Sequence, residues 1–534
     1  MDAFVKILTA AQMQQIDRMT SERWGVPSLD LMENAGNAVT RFLAARYAPL
    51  AGQKILVACG RGNNGGDGFV VARLLRQNGQ SGQSGLNPRV LLFADPGALR
   101  GDAAVNYRRL AESGTPEAVP DAEAWRKIRS SVSGSTLIID ALLGTGLTKP
   151  LQGFLLEVVR DLNGISGARR VAVDLPTGLS ADTGELIGEC IHADASVTFT
   201  APKYAHVFPP ACEQVGEWRV EQIGTPVEKI DEVPELFLSL ICREDLLWLA
   251  APRKLDSHKG LYGHVLIIAG SVGKTGAAAL AAKGALRAGA GLVTVATPES
   301  ALPVVAALGM EFMTEPLPET SSGTVALAAL DGGQLDRLAE GKSVVAIGPG
   351  LGSHPETAEA IRQFVNRCPA PVVLDADGLN AFAGRISDLK AAGRVRVLTP
   401  HPGEMARLTG LATADIQKRR IEVARQFAMQ NQVVLALKGA RTLVASPDGR
   451  VAVNPTGNPG MATGGTGDCL TGILAGLIAQ HGLREISSVV NAAVYLHGLA
   501  GDIAAARTGE ASMIAGDLLE TIPQAFNSLR RASE

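Results

Sequence analysis

The chain is poor in aromatic residues and cysteines and has almost no net charge. Aromatic residues make up 4% of the 534 residues, and the formal net charge is −3. This near-neutral balance argues against a dominant nucleic-acid or membrane-surface role, so we expect no nucleic acid and no membrane among the partners. The six cysteines are scattered, without a Cys-x-x-Cys pair or a metal-ligand spacing, which favours a reducing compartment.

Long apolar runs are also lacking. The first residues, MDAFVKILTAAQMQQ, contain no long apolar segment of the kind found in secretory signals. We find no uninterrupted apolar run of the length that a membrane helix needs. These absences predict a cytoplasmic protein. Hydrophobic residues nevertheless make up 46% of the chain, so a large core can form, and the length suits roughly two to four domains.

A glycine-rich stretch at residues 454–476, NPTGNPGMATGGTGDCLTGILAG, predicts a loop that runs into an apolar helix. Glycines let a backbone approach a ligand closely, and a helix N-terminus adds a positive partial charge that suits phosphate or a developing anion. Asp468 then lies beside that site and can act as a general base. The alternative is that Asp468 only caps a buried helix. The length and glycine density of the loop favour a ligand site.

Three apolar segments in the first half predict parallel strands that end in polar or glycine-rich loops. They are residues 54–59 (KILVAC), 136–142 (TLIIDAL) and 170–175 (RVAVDL). We interpret the NNGGDG sequence after the first of them as a turn that leads into a helix and places backbone amides against phosphate. In such sheets the ligand crevice lies at the carboxyl ends of the strands. Candidates for that crevice are Asn64, Asp67, Asp140, Asp174 and Thr177.

These candidates have a simpler interpretation, since each alone is typical of a turn or a helix cap. Their shared position after hydrophobic strands favours a site, and amide and carboxylate oxygens suit a hard cation or a sugar hydroxyl. Farther along, we expect His206 to be structural and consider Lys203 an outside candidate for substrate contact. The polar stretch at residues 79–88, GQSGQSGLNP, predicts a surface loop without chemistry.

A polar segment at residues 224–234, GTPVEKIDEVP, predicts the domain boundary. We place one domain at residues 1–226, a linker at 227–239 and a second domain at 240–534. Strands alternate with helices in both halves, so each is predicted to be a doubly wound α/β domain with a parallel sheet. In the second half, His401 between two prolines is a candidate for substrate contact. Lys438, after an apolar strand, is a candidate for a nucleotide phosphate contact.

Several of these motifs resemble those of a known enzyme family. NNGGDG, IDALLGTG and VDLPTG resemble an NAD(P)H-hydrate epimerase domain, which is Rossmann-like. GPGLG, LDADGLN, TPHPGE, LKGART and the 454–476 segment resemble an NAD(P)H-hydrate dehydratase domain of the ribokinase-like superfamily. The whole chain is similar to bacterial bifunctional NAD(P)H-hydrate repair enzymes. This implies that it epimerises the R and S forms of hydrated NADH and NADPH (NADHX and NADPHX) and dehydrates the S form.

The resemblance also implies the epimerase site. Asp174 matches the residue proposed for proton transfer. The potassium ligands match Asn64, Asp140 and Thr177, and the family often has Ser where Thr177 stands. The substrate-binding positions match Asn63, Asn64, Gly65, Gly66, Asp67, Gly144, Thr145, Gly146, Leu147, Thr148, Lys149, Pro150 and Asp174.

For the dehydratase, the resemblance implies a substrate site and an adjoining nucleotide site. The substrate-contacting positions match Ala277, Gly350, His401 and Asp468. The adenine-nucleotide positions match Lys438, Gly439, Ala440, Arg441, Thr442 and Gly467. ADP is the expected cosubstrate, accompanied by Mg²⁺, although the choice of ADP over ATP stays open. The family and the helix-rich surfaces both predict a homo-oligomer.

Two other functions share part of this pattern. Kinases of the ribokinase-like superfamily have the same GGTGD loop, so an ATP-dependent small-molecule kinase fused to a Rossmann-like binding module is an alternative. A second alternative makes the N-terminal half a non-enzymatic ligand-binding or partner-docking domain. Fold analogy alone does not separate these possibilities. The paired sets of motifs favour the repair enzyme.

Overall fold

The computed structural model describes residues 5–80, 86–389, 393–483 and 485–530. The chain divides into two compact units between Leu236 and Phe237. Each unit is an α/β fold built on its own sheet, which confirms the predicted fold class. The predicted surface loop at residues 79–88 lies partly outside the described residues.

The first unit contains one large parallel sheet. Its strands follow the order β4-β3-β2-β5-β6-β7-β8, and every neighbouring pair is parallel. The strands of this unit are β1 (Val5–Lys6), β2 (Ile55–Cys59), β3 (Arg89–Leu92), β4 (Glu117–Ala118), β5 (Leu137–Ala141), β6 (Arg169–Val173), β7 (Ala195–Phe199) and β8 (Glu217–Glu221). The helices are α1 (Ala10–Glu22), α2 (Ser28–Arg46), α3 (Asn63–Gln80), α4 (Gly101–Ala111), α5 (Ala122–Val132), α6 (Gly153–Asn163), α7 (Tyr204–Val207) and α8 (Val227–Asp231).

The central strands are continuous apolar runs because helices cover both faces of the sheet. Successive side chains of a strand point to opposite faces. In β2, Val57 therefore belongs to one buried apolar cluster and Leu56 to another. At the start of the unit, Thr9 caps α1: its hydroxyl accepts from the amide of Gln12 at 3.2 Å, and the Gln12 side chain accepts from the Thr9 amide at 3.0 Å.

The second unit has a mixed sheet. Its strands follow the order β9-β18-β17-β16-β15-β14-β13-β10-β11-β12, and β17 runs antiparallel to both of its neighbours. The strands are β9 (Leu238–Leu240), β10 (His264–Ile268), β11 (Leu292–Pro298), β12 (Met313–Leu317), β13 (Val344–Ile347), β14 (Val372–Leu374), β15 (Arg396–Leu398), β16 (Val434–Leu437), β17 (Leu443–Ala445) and β18 (Val451–Val453). The helices are α9 (Thr275–Arg287), α10 (Leu302–Ala307), α11 (Gln334–Ala339), α12 (Pro355–Arg367), α13 (Ala376–Asn380), α14 (Pro402–Thr409), α15 (Thr413–Lys418), α16 (Arg420–Asn431), α17 (Thr466–His481), α18 (Ile486–Thr508) and α19 (Ala515–Arg530).

Helices α9 and α17 are in close contact along a seam of small residues. A Cβ atom added at Gly472 of α17 would lie 2.0 Å from the carbonyl oxygen of Ala281 in α9. A Cβ at Gly284 would lie 2.7 Å from the carbonyl oxygen of Cys469. Because only glycine fits at such distances, α9 fixes the position of α17. Among the described residues, α18 alone is long and apolar enough to span a membrane; most of it is buried, and it packs against α17 and α19.

The segment predicted to be the linker, residues 227–239, contains regular secondary structure. It contains helix α8, whose Ile230 is buried in an apolar cluster with Leu236, and strand β9, which pairs with β18. The apolar residues at its start are isolated in a polar sequence and show no periodicity, and the three-residue strand β9 is too short to show one. The sequence analysis also does not predict strands β12, β17 and β18, because each is only three to five residues long.

Candidate active sites

A cavity of about 630 Å³ lies in the first unit, where the loops after β2, β5 and β6 face helix α1. This volume is typical of a site for a small organic ligand. The predicted site residues that line it are Asn63, Asn64, Asp67, Gly144, Thr145, Gly146, Leu147 and Asp174. By contrast, Thr148, Lys149 and Pro150 are exposed and lie outside the described lining of this cavity.

The NNGGDG sequence is not the turn that we expected, because α3 already begins at Asn63. Its glycines serve close packing. A Cβ at Gly65 would lie 1.9 Å from the carbonyl oxygen of Gly60, and one at Gly66 would lie 2.6 Å from the sulfur of Met32. The helix N-terminus therefore lies deep against the sheet edge and borders the cavity. Its free amides and positive partial charge still suit phosphate.

Below the cavity, Asp140 and Thr177 form a buried pair. Thr177 donates from its amide and from its hydroxyl to the two Asp140 oxygens, each at 2.7 Å. Burial raises the pKa of Asp140 to about 6 despite these hydrogen bonds. Close by, a Cβ at Gly144 would lie 3.5 Å from Oδ1 of Asn64, and the buried Asn64 carboxamide has no hydrogen-bond partner among the described residues. A buried carboxamide without a partner is costly, so this position is suited to a ligand.

Asp174 follows β6 and adopts the left-handed backbone conformation, with φ 63°. Its Oδ1 accepts from the ammonium of Lys203 at 2.5 Å and from the hydroxyl of Thr198 at 2.8 Å. Burial raises the pKa of Asp174, but the charge and hydrogen bond of Lys203 outweigh it, so the pKa is below its ordinary value. Asp174 is therefore held as a carboxylate. Lys203 is almost completely buried, and it acts here as the partner of Asp174.

His206 fixes the backbone of the same region, as expected for a structural histidine. Its Nδ1 accepts from the amide of Lys203 at 3.1 Å, so Nε2 carries the proton and donates to the Asp174 carbonyl at 2.9 Å. Burial and then the charge of Lys203 lower the pKa of His206 to about 4. The ring is thus neutral at physiological pH.

Two further carboxyl groups line the cavity. Burial, with a further contribution from the Asp174 charge, raises the pKa of Asp67 well above its ordinary value. Asp17 on α1 also faces the cavity. Burial raises the pKa of Asp17 to about 6, against the charge of Lys203 and with that of Asp174. Sequence analysis does not single out Asp17, because it occupies a polar position of an amphipathic helix.

In the second unit, Asp468 is in the first turn of α17. Gly465, with φ 93°, is the N-cap, and Asp468 is the third residue of the helix. The alternative that Asp468 caps the helix is therefore wrong. On the other side of the turn, Nε2 of His497 hydrogen-bonds to the carbonyl of Thr466 at 2.8 Å. The start of the helix is fixed, and Asp468 is left half-buried without a capping role.

A buried ion pair adjoins Asp468. Nζ of Lys438 donates to Oδ1 of Asp375 at 2.6 Å, and the hydroxyl of Thr471 donates to Oδ2 of the same carboxylate at 2.8 Å. Glu404 lies 3.7 Å from Nζ of Lys438. The sequence singled out Lys438 but missed Asp375 and Glu404, although both belong to quoted motifs. Pairing them with Lys438 requires the tertiary structure.

This ion pair lies in the electrostatic environment of Asp468. Burial, and then the charge of the Asp375 carboxylate, raise the pKa of Asp468 to about 6, against the opposing charge of Lys438. Burial lowers the pKa of Lys438, but the charges of Asp375 and Glu404 more than compensate, so it is raised overall. Asp468 can therefore exchange a proton near neutral pH, as a general base requires.

Two of the predicted substrate positions come from different elements, Ala277 from the first turn of α9 and Gly350 from the loop after β13. A Cβ at Gly350, with φ 64°, would lie 3.0 Å from Cβ of Ala277, so these two positions touch. His401 caps α14, accepting from the amide of Gly403, and its Nε2 lies 3.3 Å from Glu404. The ring is half-exposed. His401 is thus connected to Lys438 through Glu404.

The predicted nucleotide positions lie in the turn between β16 and β17. A Cβ at Gly439, with φ 138°, would lie 3.0 Å from the guanidinium of Arg420, which donates to the carbonyl of Ala440 at 2.6 Å. The Thr442 hydroxyl donates to the carbonyl of Gly439 at 3.0 Å. A Cβ at Gly467 would lie 3.5 Å from Nζ of Lys438, so this glycine leaves space between the turn and α17.

The chain is a two-unit α/β protein, and each unit has charged residues gathered at loops beside its own sheet. Family models match residues 28–205 as the YjeF-related protein N-terminus and residues 265–524 as NAD(P)H-hydrate dehydratase. The chain is 43% identical to the bifunctional NAD(P)H-hydrate repair enzyme of Moorella thermoacetica, over 99% of this chain and 98% of that protein. It is 37% identical to the enzyme of the same name from Thermofilum pendens, over 99% and 98%.

The chain belongs to the family of bifunctional NAD(P)H-hydrate repair enzymes, which combine an epimerase and a dehydratase. Among solved structures it is similar to the ADP/ATP-dependent NAD(P)H-hydrate dehydratase of Bacillus subtilis, co-crystallised with ATP and Mg²⁺. That similarity has a TM-score of 0.47 and 32% identity and covers 54% of this chain and 98% of the other. Membership of the family favours the repair enzyme over the kinase and the non-enzymatic alternatives.

Proposed function

We propose that the first unit interconverts the R and S epimers of hydrated NADH and NADPH, and that the second unit dehydrates the S epimer with ADP as cosubstrate. The observation that carries the assignment is the separation of two carboxylate sites on two sheets. One has an ion-paired Asp174 in a cavity, and the other has Asp468 in the first turn of a helix. Two separate carboxylate sites match the two different reactions on one substrate.

The epimerase chemistry follows from the substrate. A hydrated nicotinamide carries a hydroxyl at C6, next to the ring nitrogen, whose lone pair helps to expel it and leaves an iminium-like cation. Water then adds to either face, which interconverts R and S. The Asp174 carboxylate, held charged by Lys203, would stabilise the cation, and the N-terminus of α3 would bind the phosphate.

A potassium ion fits the residues below the cavity. Asn64 has a buried carboxamide oxygen without a partner among the described residues, and the Asp140 carboxylate and the Thr177 hydroxyl are close to the same loop. All three supply oxygen atoms, the ligands that hard cations prefer. The ion would supply a positive charge next to the phosphate-binding end of the cavity. We assign Asn64, Asp140 and Thr177 to it.

In the second unit, Asp468 would take or hold the proton of the elimination, and the N-terminus of α17 would stabilise an anionic oxygen beside it. Ala277, Gly350 and His401 would contact the hydrate. Residues 438–442 and Gly467 would bind the nucleotide, because they enclose space next to the Lys438 ammonium. The described residues contain no cluster of three or more His, Cys, Asp or Glu that could hold a metal, so Mg²⁺ would arrive with the nucleotide phosphates.

The test is the recovery of NADH from a mixture of R and S hydrate, with potassium and magnesium present, comparing ADP, ATP and no nucleotide. We expect complete recovery with ADP preferred. Recovery that stops when one epimer is consumed would contradict the epimerase assignment. Phosphate transfer from ATP without any NADH formation would contradict the dehydratase assignment and favour a kinase.

Two variants separate the sites. Asp468→Asn should abolish recovery while epimerisation continues, and Asp174→Asn should stop recovery after the S epimer is consumed. Asp448→Asn, at an exposed turn residue paired with Arg450, is the control and should leave both activities unchanged.

We further propose that the enzyme is a cytoplasmic homo-oligomer. Sedimentation of the purified chain at the mass of a monomer would contradict the second part of that proposal.

A further inference from the structure

One carboxyl group in the epimerase cavity has no assigned role. Asp17 lies on α1 and lines the cavity together with Asp174 and Lys203. The Asp17 carboxyl makes no hydrogen bond or ion pair to any residue that the structure describes, although the charges of Lys203 and Asp174 act on it. The Asp174 carboxylate, in contrast, accepts hydrogen bonds from the Lys203 ammonium and the Thr198 hydroxyl. The cavity therefore presents one carboxylate that is fixed and charged and one carboxyl that is free to exchange protons.

The chemistry requires both kinds of group. Expelling a hydroxyl at C6 needs an acid that protonates the departing oxygen, and returning water needs a base that takes up its proton. The ring becomes cationic in between, and a permanent negative charge stabilises it. Because Lys203 lowers the pKa of Asp174, that residue is a poor proton donor near neutral pH. The pKa of Asp17, about 6, lies where one group can perform both transfers.

We propose that Asp17 is the acid and base of the epimerase, and that Asp174 remains a carboxylate facing the cationic ring. Asp17 gives its proton to the C6 hydroxyl, the C6–O bond breaks with its electron pair on oxygen, and water leaves. The ring nitrogen lone pair forms the C=N bond. Water then adds to the other face of C6, and the Asp17 carboxylate takes the released proton. The inference rests on the proposed epimerase function of this unit.

Other charged groups face Asp17 and affect its titration. Lys203 favours the carboxylate, and Asp174 favours the protonated form. The remaining charged or titratable residues of the cavity lining are Arg18, Glu22, Asp67 and Asp102. Asp67 is less suited to the role, because it is more deeply buried than Asp17, and this burial raises its pKa well above the ordinary value.

The test is the pH dependence of epimerisation in the full-length enzyme, with the uncatalysed rate subtracted at each pH. We expect kcat of the wild type to fall as the pH rises through about 6, because the acid loses its proton. Asp17→Asn should lose this dependence, with kcat reduced by about 10²–10⁴-fold and KM changed by less than about threefold. Asp17→Glu should regain part of the rate. Asp30→Asn, an exposed carboxyl on α2 outside the cavity, is the control.

Two results would overturn the inference. One is Asp17→Asn with kcat within about threefold of the Asp30→Asn control. The other is a wild-type profile without any change between about pH 5 and 7, which also decides the matter if the Asn variant does not fold. Failure of the proposed function differs from both, since the wild type would then epimerise neither hydrate at any pH. Dehydration of pure S hydrate reports on the second unit separately.

Discussion

The buried ion pair between Lys203 and Asp174 makes a sharp prediction for stability. Its Nζ–Oδ1 distance is 2.5 Å, and the side chains are 1% and 15% exposed. Lys203→Met would leave the Asp174 carboxylate unpaired and would also remove a donor from the hydroxyl of Thr198. Breaking a buried pair by removing one partner costs about 3–5 kcal/mol, so we expect a loss of that size in the free energy of unfolding of the first unit.

A second variant tests the cause of this loss. In the double variant Lys203→Met/Asp174→Asn no unpaired charge remains, and we expect it to recover on the order of 1–3 kcal/mol of the loss. Lys127→Met is the control, because Lys127 forms an exposed pair with Glu123 at 2.7 Å and should change the free energy by less than about 1 kcal/mol.

Urea titration followed by tryptophan fluorescence measures these free energies, and its pH dependence provides a further check. The lowered pKa of Asp174 means that its contribution is present above about pH 4 and is lost as the pH falls through the folded pKa. The difference between wild type and Lys203→Met should therefore shrink in acid. If Lys203→Met costs less than about 1 kcal/mol at neutral pH, Asp174 is not held as a buried carboxylate and the reasoning is refuted.

Three further predictions concern other parts of the chain. Gly472→Ala should lower the free energy of unfolding of the second unit by about 1–3 kcal/mol, because its Cβ would lie 2.0 Å from the Ala281 carbonyl oxygen. Thermal melts measure this loss, and the control Gly276→Ala, whose Cβ meets open space, should melt like the wild type. Dehydration of S hydrate, followed by NADH absorbance, should rise as the pH increases through about 6, because Asp468 acts as a base only when ionised; a flat profile would contradict this role. Asn64→Ala should remove the potassium dependence of epimerisation, and a potassium titration that matches the wild type would rule out that ligand.

The sequence was sufficient for the fold class because both sheets are built from long buried runs, such as β2, that helices cover on both faces. It could not show that NNGGDG belongs to a helix, since glycine is typical of turns and the close contact of Gly65 with Gly60 is tertiary. The candidate residues after the strands could be named, because strand ends in a parallel sheet share an edge. Asp17 could not be predicted as a site residue, because the sequence of an amphipathic helix does not indicate which polar side chain faces a cavity.

The left-handed backbone of Asp174 limits which side chains that position can carry. Most residues with a Cβ are strained at φ 63°, whereas Asn and Gly adopt this conformation readily. Asp174→Asn therefore changes the charge and keeps the backbone, while Asp174→Ala changes both. Every neutral substitution at this position also leaves the buried Lys203 ammonium unpaired, so a survey of such variants should show expression below the wild type throughout. Within that lowered range, Asn and Gly should be highest and bulky or β-branched residues lowest, so the order of expression would follow backbone conformation.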